Sequence, residues 1–387
     1  MQRTLRFLVA GALLATGLSA CLSAPGNTSA IALVSSSTLN GWHYNYYRDS
    51  AYPCAVSGYQ TFVVGTKIGS SNTAAAPLWT FMHGGGAGYF DASGNPIPSA
   101  GQKVEEGFAG LRGYLNNSGL LAKVRADAAG FRTLAVSYCS HDVYAGTNSP
   151  DPNNPNTTPD GKPRTTNGLI SVKAAIQFVQ AKYPTTKTFL HGTSAGSAGT
   201  FGVAWAMQLQ GIAPAGVVAD ASIINAEAFA AADAAGYCTD NNDPGRVAAI
   251  SARIDPQLAN LDNEPDKLVS SGRLTVPLLH IWNHSDVNTC GSPPISCPLR
   301  NGTHVTMGLT DCIHEPMRAA IAAEGPGSRS MNLPVCVNGA TQPACSTHVV
   351  TNKAGLTNTD PSTPADYLTA IIHWVDARLA DPAAATT

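Results

Sequence analysis

The chain has 387 residues, of which 12% are charged and 44% apolar, with 37 Gly and 26 Pro; this excludes a disordered chain and a coiled coil and points to a loop-rich globular protein. With 23 Lys and Arg against 25 Asp and Glu the net charge is −2, and no basic block is present to neutralise a phosphate backbone, so a nucleic-acid partner is not expected.

Arg3 and Arg6 precede an apolar run from Phe7 to Leu18, too short to span a bilayer of about 30 Å but suited to the core of an export signal. Leu18-Ser19-Ala20 followed by Cys21 resembles a bacterial lipobox. On that reading residues 1–20 are a signal peptide, Cys21 is the lipidated first residue of an exported, envelope-anchored chain, and residues 21–40 form a flexible Ser/Thr-rich tether. Without Cys21 the remaining cysteines are an even set, Cys54, Cys139, Cys238, Cys290, Cys297, Cys312, Cys336 and Cys345, as suits disulfides in an oxidising compartment. The close pairs Cys290/Cys297 and Cys336/Cys345 are the ones proximity favours. No C-x-x-C occurs, and His280, His284, His304 and His314 lack a zinc spacing, so neither metal nor cofactor is expected.

From about Gly41 to residue 382, β-rich runs alternate with Ala-rich helical stretches, the order of an α/β fold with a mostly parallel sheet and helices on both faces, here a single domain. Strands are expected at Gln60 to Thr66, Pro77 to Met82, Arg132 to Tyr138, Thr188 to His191, Gly216 to Ala219, Val276 to Trp282 and Leu333 to Val337. Helices are expected at Gly168 to Lys182, Ala195 to Gln210 and Ala365 to Leu379; in the last, Leu368, Ile371, Ile372, Val375 and Leu379 share one face. Thr147 to Asn167 reads as a polar surface loop, and residues 225–273 as either a small cap-like insertion or an ordinary crossover. Tyr89, Phe90, Trp205 and Trp282 could shape a cleft, although aromatic residues beside strands are more often core.

The motifs that carry chemistry follow the same order. His83-Gly84-Gly85-Gly86 comes straight after the second expected strand, and glycines there let backbone N–H groups approach an oxyanion closely; Gly85 and Gly86 are the expected donors and His83 an orienting residue. Gly192-Thr193-Ser194-Ala195-Gly196 lies between a strand and an apolar helix, the setting of a nucleophile elbow, with Ser194 as nucleophile and the N–H of Ala195 as a third donor. Ser197 is a weak rival. Expected next in chain order are an acid and then a base. Asp286, just past the Val276 to Trp282 strand, fits the acid best, with Asp220 as competitor or as a holder of loop amides. Of His304, His314, His348 and His373, the base is expected at His348, between the last strand and the last helix; His314 reads as a helix cap and His373 as a surface or structural residue. Neutral serine is a poor nucleophile, so a histidine must accept its proton and a carboxylate must fix that histidine's tautomer.

Together with Ser137-Tyr138-Cys139-Ser140-His141-Asp142-Val143 and Val218-Ala219-Asp220-Ala221, these motifs resemble the pectin acetylesterase family, which includes the animal deacylase Notum, within the wider α/β-hydrolases. The resemblance implies an α/β-hydrolase fold and an exported serine esterase acting on acyl esters, among them acylated polysaccharide. It places the triad at Ser194, Asp286 and His348 and the oxyanion donors at Gly85, Gly86 and Ala195, with Asp142 structural. The chain departs from the family at Thr193 and Ser197, where Cys and Gly are usual, and at Ala87-Gly88, which replace a Trp. An amidase or peptidase with the same triad and a non-catalytic polysaccharide-binding lipoprotein are the alternatives.

Overall fold

The computed structural model describes residues 22–70, 73–222, 246–289, 292–325, 327–336, 345, 347–353 and 367–381. Strands β1 (Ile31–Leu39), β2 (Trp42–Pro53) and β3 (Tyr59–Lys67) form an antiparallel meander. β4 (Ala76–Met82) is followed by a small hairpin, β5 (Tyr89–Phe90) and β6 (Pro96–Ile97). Then come helices α1 (Phe108–Leu115) and α2 (Leu120–Ala126), β7 (Arg132–Val136), α3 (Gly168–Lys182), β8 (Thr185–Thr193), α4 (Ala195–Leu209) and β9 (Gly216–Asp220). The chain continues through α5 (Arg246–Ser251), α6 (Pro265–Ser270), β10 (Leu278–Asn283), a hairpin of β11 (Pro294–Pro298) and β12 (His304–Gly308), α7 (Leu309–Ala323), β13 (Met331–Val335) and α8 (Tyr367–Ala380).

Among the described residues nine strands make one sheet, in the order β1-β2-β3-β7-β4-β8-β9-β10-β13. From β7 to β13 every pairing is parallel. This is an α/β-hydrolase sheet. The parallel strands are covered on both faces, which is why runs such as Gly216-Val217-Val218-Ala219 are continuously apolar. Alternation then sorts β4: Leu78 and Met82 point to a core with Leu169, Val172 and Ile176 of α3, Phe201 and Met207 of α4, and Met317 of α7. Trp79 and Phe81 point to the opposite core, with Leu111 and Leu115 of α1, Leu121 and Val124 of α2, and Ile371 and Val375 of α8. Each such fully buried side chain contributes about 1.5–3 kcal/mol of apolar burial.

Strand order reverses at β4, with β7 on one side and β8 on the other, and open α/β sheets bind ligands at such a switch point beyond the strand C-termini. Register brings the relevant strand ends level: Met82 pairs with Gly192, Gly192 with Ala219, and Ile281 with Asp220.

Several expectations change. Residues 22–39 are not a loose tether. Leu22 is buried, the Lys173 ammonium donates to the carbonyls of Leu22 and Ala24, and Ile31–Leu39 is an edge strand paired with β2. Cys297 pairs with Cys312 and not with Cys290, joining the β11–β12 hairpin to α7; Cys336–Cys345 forms as expected, and Cys54 pairs with Cys139. Of the expected cap, residues 225–245 lie outside the described residues, and Leu268 and Val269 of the remainder join the α3–α4 core. Residues 1–21, including Cys21, are likewise outside. Among the described residues no helix is long and apolar enough to cross a membrane.

Candidate active site

The turn from β8 into α4 is dictated by close backbone approach. A Cβ on Gly192 would lie 2.3 Å from the carbonyl oxygen of Gly196, and one on Gly196 would lie 2.0 Å from that of Met82. Only glycine fits at either place. Between them Ser194 caps α4 with φ 54° and ψ −121°, strained geometry for a residue with a side chain. The Ser194 N–H donates to the carbonyl of Asp220 at 2.8 Å, while the N–H of Ala195, first in the helix, has no intrahelical acceptor. Ser197 is fully buried, with its hydroxyl against that of Ser222.

The glycine loop after β4 lies directly on this turn. A Cβ on Gly84 would be 2.7 Å from Cβ and 3.4 Å from Oγ of Ser194, and the Gly84 N–H donates to Thr193 Oγ1 at 3.2 Å. The rest of the loop is held from behind. His83 places Nδ1 2.7 Å from the carbonyl of Gly84 and Nε2 2.9 Å from the Glu106 carboxylate, which also accepts the N–H of Tyr138. The Tyr138 hydroxyl donates to the carbonyl of Gly86 at 2.8 Å and accepts the N–H of Val143 at 2.9 Å. The buried Arg253 guanidinium donates to the carbonyls of Gly88 and Ser140 and pairs with buried Asp151. With its carbonyls anchored in this way, the loop leaves the N–H groups of Gly85 and Gly86 without a hydrogen-bond acceptor among the described residues. His83 thereby ties the glycine loop to Glu106.

Beyond β10, Asp286 is buried; its Oδ1 accepts the N–H of Asn288 and its Oδ2 accepts Nδ1–H of His348 at 2.7 Å. The Asn283 side-chain amide donates to the carbonyls of Cys345 and Thr347, both at 2.6 Å, so strand β10 holds the histidine loop as well as the acid. Burial disfavours the charged form of His348, but the hydrogen bond and charge of Asp286, helped by the charge of Asp220, outweigh it and hold the imidazole above its ordinary value. Nδ1 is thereby the donor, which leaves Nε2 of the neutral ring with its lone pair free of Asp286.

The other candidates sit elsewhere. Asp220 holds loop amides, its Oδ2 accepting the N–H and hydroxyl of Thr351. Asp142 is buried and accepts N–H groups of Tyr144, Gly146 and Gly168, a structural role. His304 is exposed on the β12 hairpin and His373 exposed on α8. His314 does not cap a helix: it is buried within α7, 3.0 Å from Nε2 of His280, under Trp282. Tyr89, Phe90, Trp205 and Trp282 are buried as core. Among the described residues no three His, Cys, Asp or Glu side chains are grouped to hold a metal.

Sequence reasoning missed Glu106, Asn283, Arg253 and Thr351, which position the site without touching its open face. Thr193 was legible only as a departure from the family pattern, yet its hydroxyl is what receives Gly84.

No protein-family model matches the chain, and no curated protein matches it in sequence. Solved structures are similar at low identity. A bacterial brefeldin A esterase, a homologue of human hormone-sensitive lipase, is 13% identical with a TM-score of 0.40, over 94% of this chain and 82% of its own. A fungal esterase from Rhizomucor miehei is 15% identical with a TM-score of 0.45, over 93% and 87%. An acetyl xylan esterase from Paenibacillus sp. R4 is 13% identical with a TM-score of 0.41, over 83% and 85%. The strand order, and not these likenesses, carries the fold assignment.

Proposed function

We propose that the protein is an exported serine carboxylic-ester hydrolase working through an acyl-serine intermediate. The observation that carries this reading is the conjunction of a strained Ser194 under the Gly84–Gly86 loop with a hydrogen-bonded pair of buried Asp286 and half-buried His348 at the same end of the sheet. In the proposed reaction His348 Nε2 takes the Ser194 proton as Oγ attacks the ester carbonyl. The N–H groups of Gly85, Gly86 and Ala195 receive the oxyanion, where fixed dipoles act without reorganisation. His348 then protonates the departing alcohol, water attacks the acyl-serine with His348 again as base, and the acid leaves.

The motifs around Tyr138 and Asp220 favour an acylated carbohydrate as the ester. Three disulfides among the described residues favour an oxidising compartment, and the Leu18 to Cys21 pattern favours a lipid anchor there. The test is hydrolysis of p-nitrophenyl esters from acetate to decanoate by the mature protein and by Ser194→Ala. Turnover by the wild type alone supports the reading, and the chain-length profile separates a deacetylase from a lipase-like enzyme. Two folded but equally inactive proteins favour an amidase or a binding protein; equal activity in both means the nucleophile lies elsewhere.

A further inference from the structure

Ser194 and His348 reach the site on separate loops, and Asp220 touches both. Its backbone carbonyl accepts the N–H of Ser194 at 2.8 Å. Its carboxylate Oδ2 accepts the backbone N–H and the hydroxyl of Thr351, three residues beyond His348, at 2.7 Å each. Nε2 of His191, three residues before Ser194, lies 3.0 Å from the same hydroxyl. Since the Thr351 hydroxyl gives its proton to Asp220, His191 is the donor to Thr351, and a directed chain runs from His191 through Thr351 to Asp220.

The chain is out of solvent, and Oδ1 of Asp220 is buried with no hydrogen-bond partner among the described residues. Leaving one oxygen of a buried carboxylate unmet is costly for a residue whose only task is to hold a loop, because asparagine could accept from Thr351 without a charge. The charge has a counterpart nearby. Among the described residues, the charged or titratable groups coupled electrostatically to the His348 ring are Asp286 from the β10 loop, Asp220 from β9 and His314 from α7, and burial keeps His314 neutral. Asp286 occupies Nδ1 of His348 and Thr351 occupies Oδ2 of Asp220, so Asp220 acts on the ring through its field and through the loop.

On the reading of Ser194 and His348 given above, we propose that Asp220 is a positioning residue that sets the nucleophile loop against the base loop, and that its buried charge joins that of Asp286 in stabilising the imidazolium. Burial pushes the Asp220 carboxyl up to about 6, so the charge is present at neutral pH.

The test compares wild type with Asp220→Asn, which keeps shape and an acceptor but removes the charge. Two measurements are made: steady-state kinetics on the best p-nitrophenyl ester across pH, and NMR titration of the His348 imidazole in the resting protein. The expected result is a fall in kcat of about tenfold or more with KM nearly unchanged, and a shift of the His348 titration to lower pH. Wild-type kcat together with a wild-type titration point overturns the proposal. Should Asp220→Asn not fold, Thr351→Val decides: lower kcat at unchanged KM, restored by Thr351→Ser, supports the positioning role, and wild-type kcat in Thr351→Val overturns it. An inactive wild type counts against the esterase reading alone, because the imidazole titration reads the Asp220 charge without turnover.

Discussion

The side-chain amide of Asn283 lies 2.6 Å from the carbonyl oxygen of Thr347, and so ties the strand leading into Asp286 to the loop that carries His348. The same amide reaches Cys345, and Asn283 Oδ1 accepts the N–H of Ser285 on the acid loop. Asn283→Ala therefore releases both partners of the acid–base pair and leaves buried carbonyls unmet. We expect a loss of about 1–3 kcal/mol in urea unfolding and a fall in kcat of roughly ten- to a hundredfold with little change in KM, since the damage is to the proton-transfer geometry. A wild-type kcat in a folded Asn283→Ala protein contradicts this.

Thr193 offers a second check, on the oxyanion side. Thr193→Val keeps the shape but removes the acceptor of the Gly84 N–H, so the loop loses its tie to the elbow. Displacing donors costs less than deleting one, and a kcat/KM about tenfold lower is expected, with Thr193→Ser close to wild type. Should valine and serine behave alike, the contact has no part in catalysis.

The pH dependence follows from His348. Its free base is the active form, and the net pull of Asp286 and Asp220 against burial raises its protonation point. The acid limb of kcat/KM is therefore expected above the usual imidazole value of about 6.5. In Asp286→Asn the residual limb moves to lower pH and kcat drops by a thousandfold or more, on the order seen when a triad carboxylate is neutralised. A limb that stays in place in Asp286→Asn argues that a different group titrates.

Stability depends on pH through other residues. Burial drives His191 and His141 down to about 3 and His280 to about 4, and holds His314 well below its ordinary value. In the unfolded chain these imidazoles take up protons below about pH 6.5 while the folded protein leaves them neutral, so stability is lost as pH falls from there toward 4. Asp49 and Asp220, raised by burial to about 6, work in the opposite sense between pH 6 and 4, because there the folded state binds the extra proton. Asp142 and Asp376, also raised by burial, act in that same sense, but the four imidazoles act from about pH 6.5 downward, ahead of the carboxyls, and set the net direction. The urea midpoint is expected to be lower at pH 4.5 than at pH 7; a midpoint that is flat or rises on acidification would show that the histidines are not buried as described.

The parts of the molecule legible in the sequence are those whose cause is local. Gly192 and Gly196 are set by backbone contacts at 2.3 and 2.0 Å within one turn and its neighbouring strand, and the helix at Gly168–Lys182 follows from a run rich in Leu, Ala, Lys and Gln with no Pro and no Gly after its first residue. The edge strand Ile31–Leu39 looks like a tether in the sequence because its Ser/Thr content mimics a linker, and in the fold it buries little. Strand Trp42–Pro53 is built from Tyr, Trp and polar residues, so it lacks the aliphatic alternation that marks strands elsewhere in this chain. The ties that assemble the site join distant positions, Asn283 with Thr347 and Asp220 with Thr351, and a single polar residue in a strand carries no sign of its partner until register brings the two together. Proximity misled for Cys297, because the β11–β12 hairpin presents it to α7 rather than to its near neighbour in sequence.

The central claim is that Ser194 forms the covalent intermediate, and the most direct measurement is to label the folded protein with a fluorophosphonate and locate the adduct by peptide mass spectrometry. The account predicts stoichiometric labelling of Ser194, loss of the label in Ser194→Ala, and much slower labelling in a variant lacking the His348 imidazole. Labelling at another serine, or none in a protein that hydrolyses esters, would contradict it.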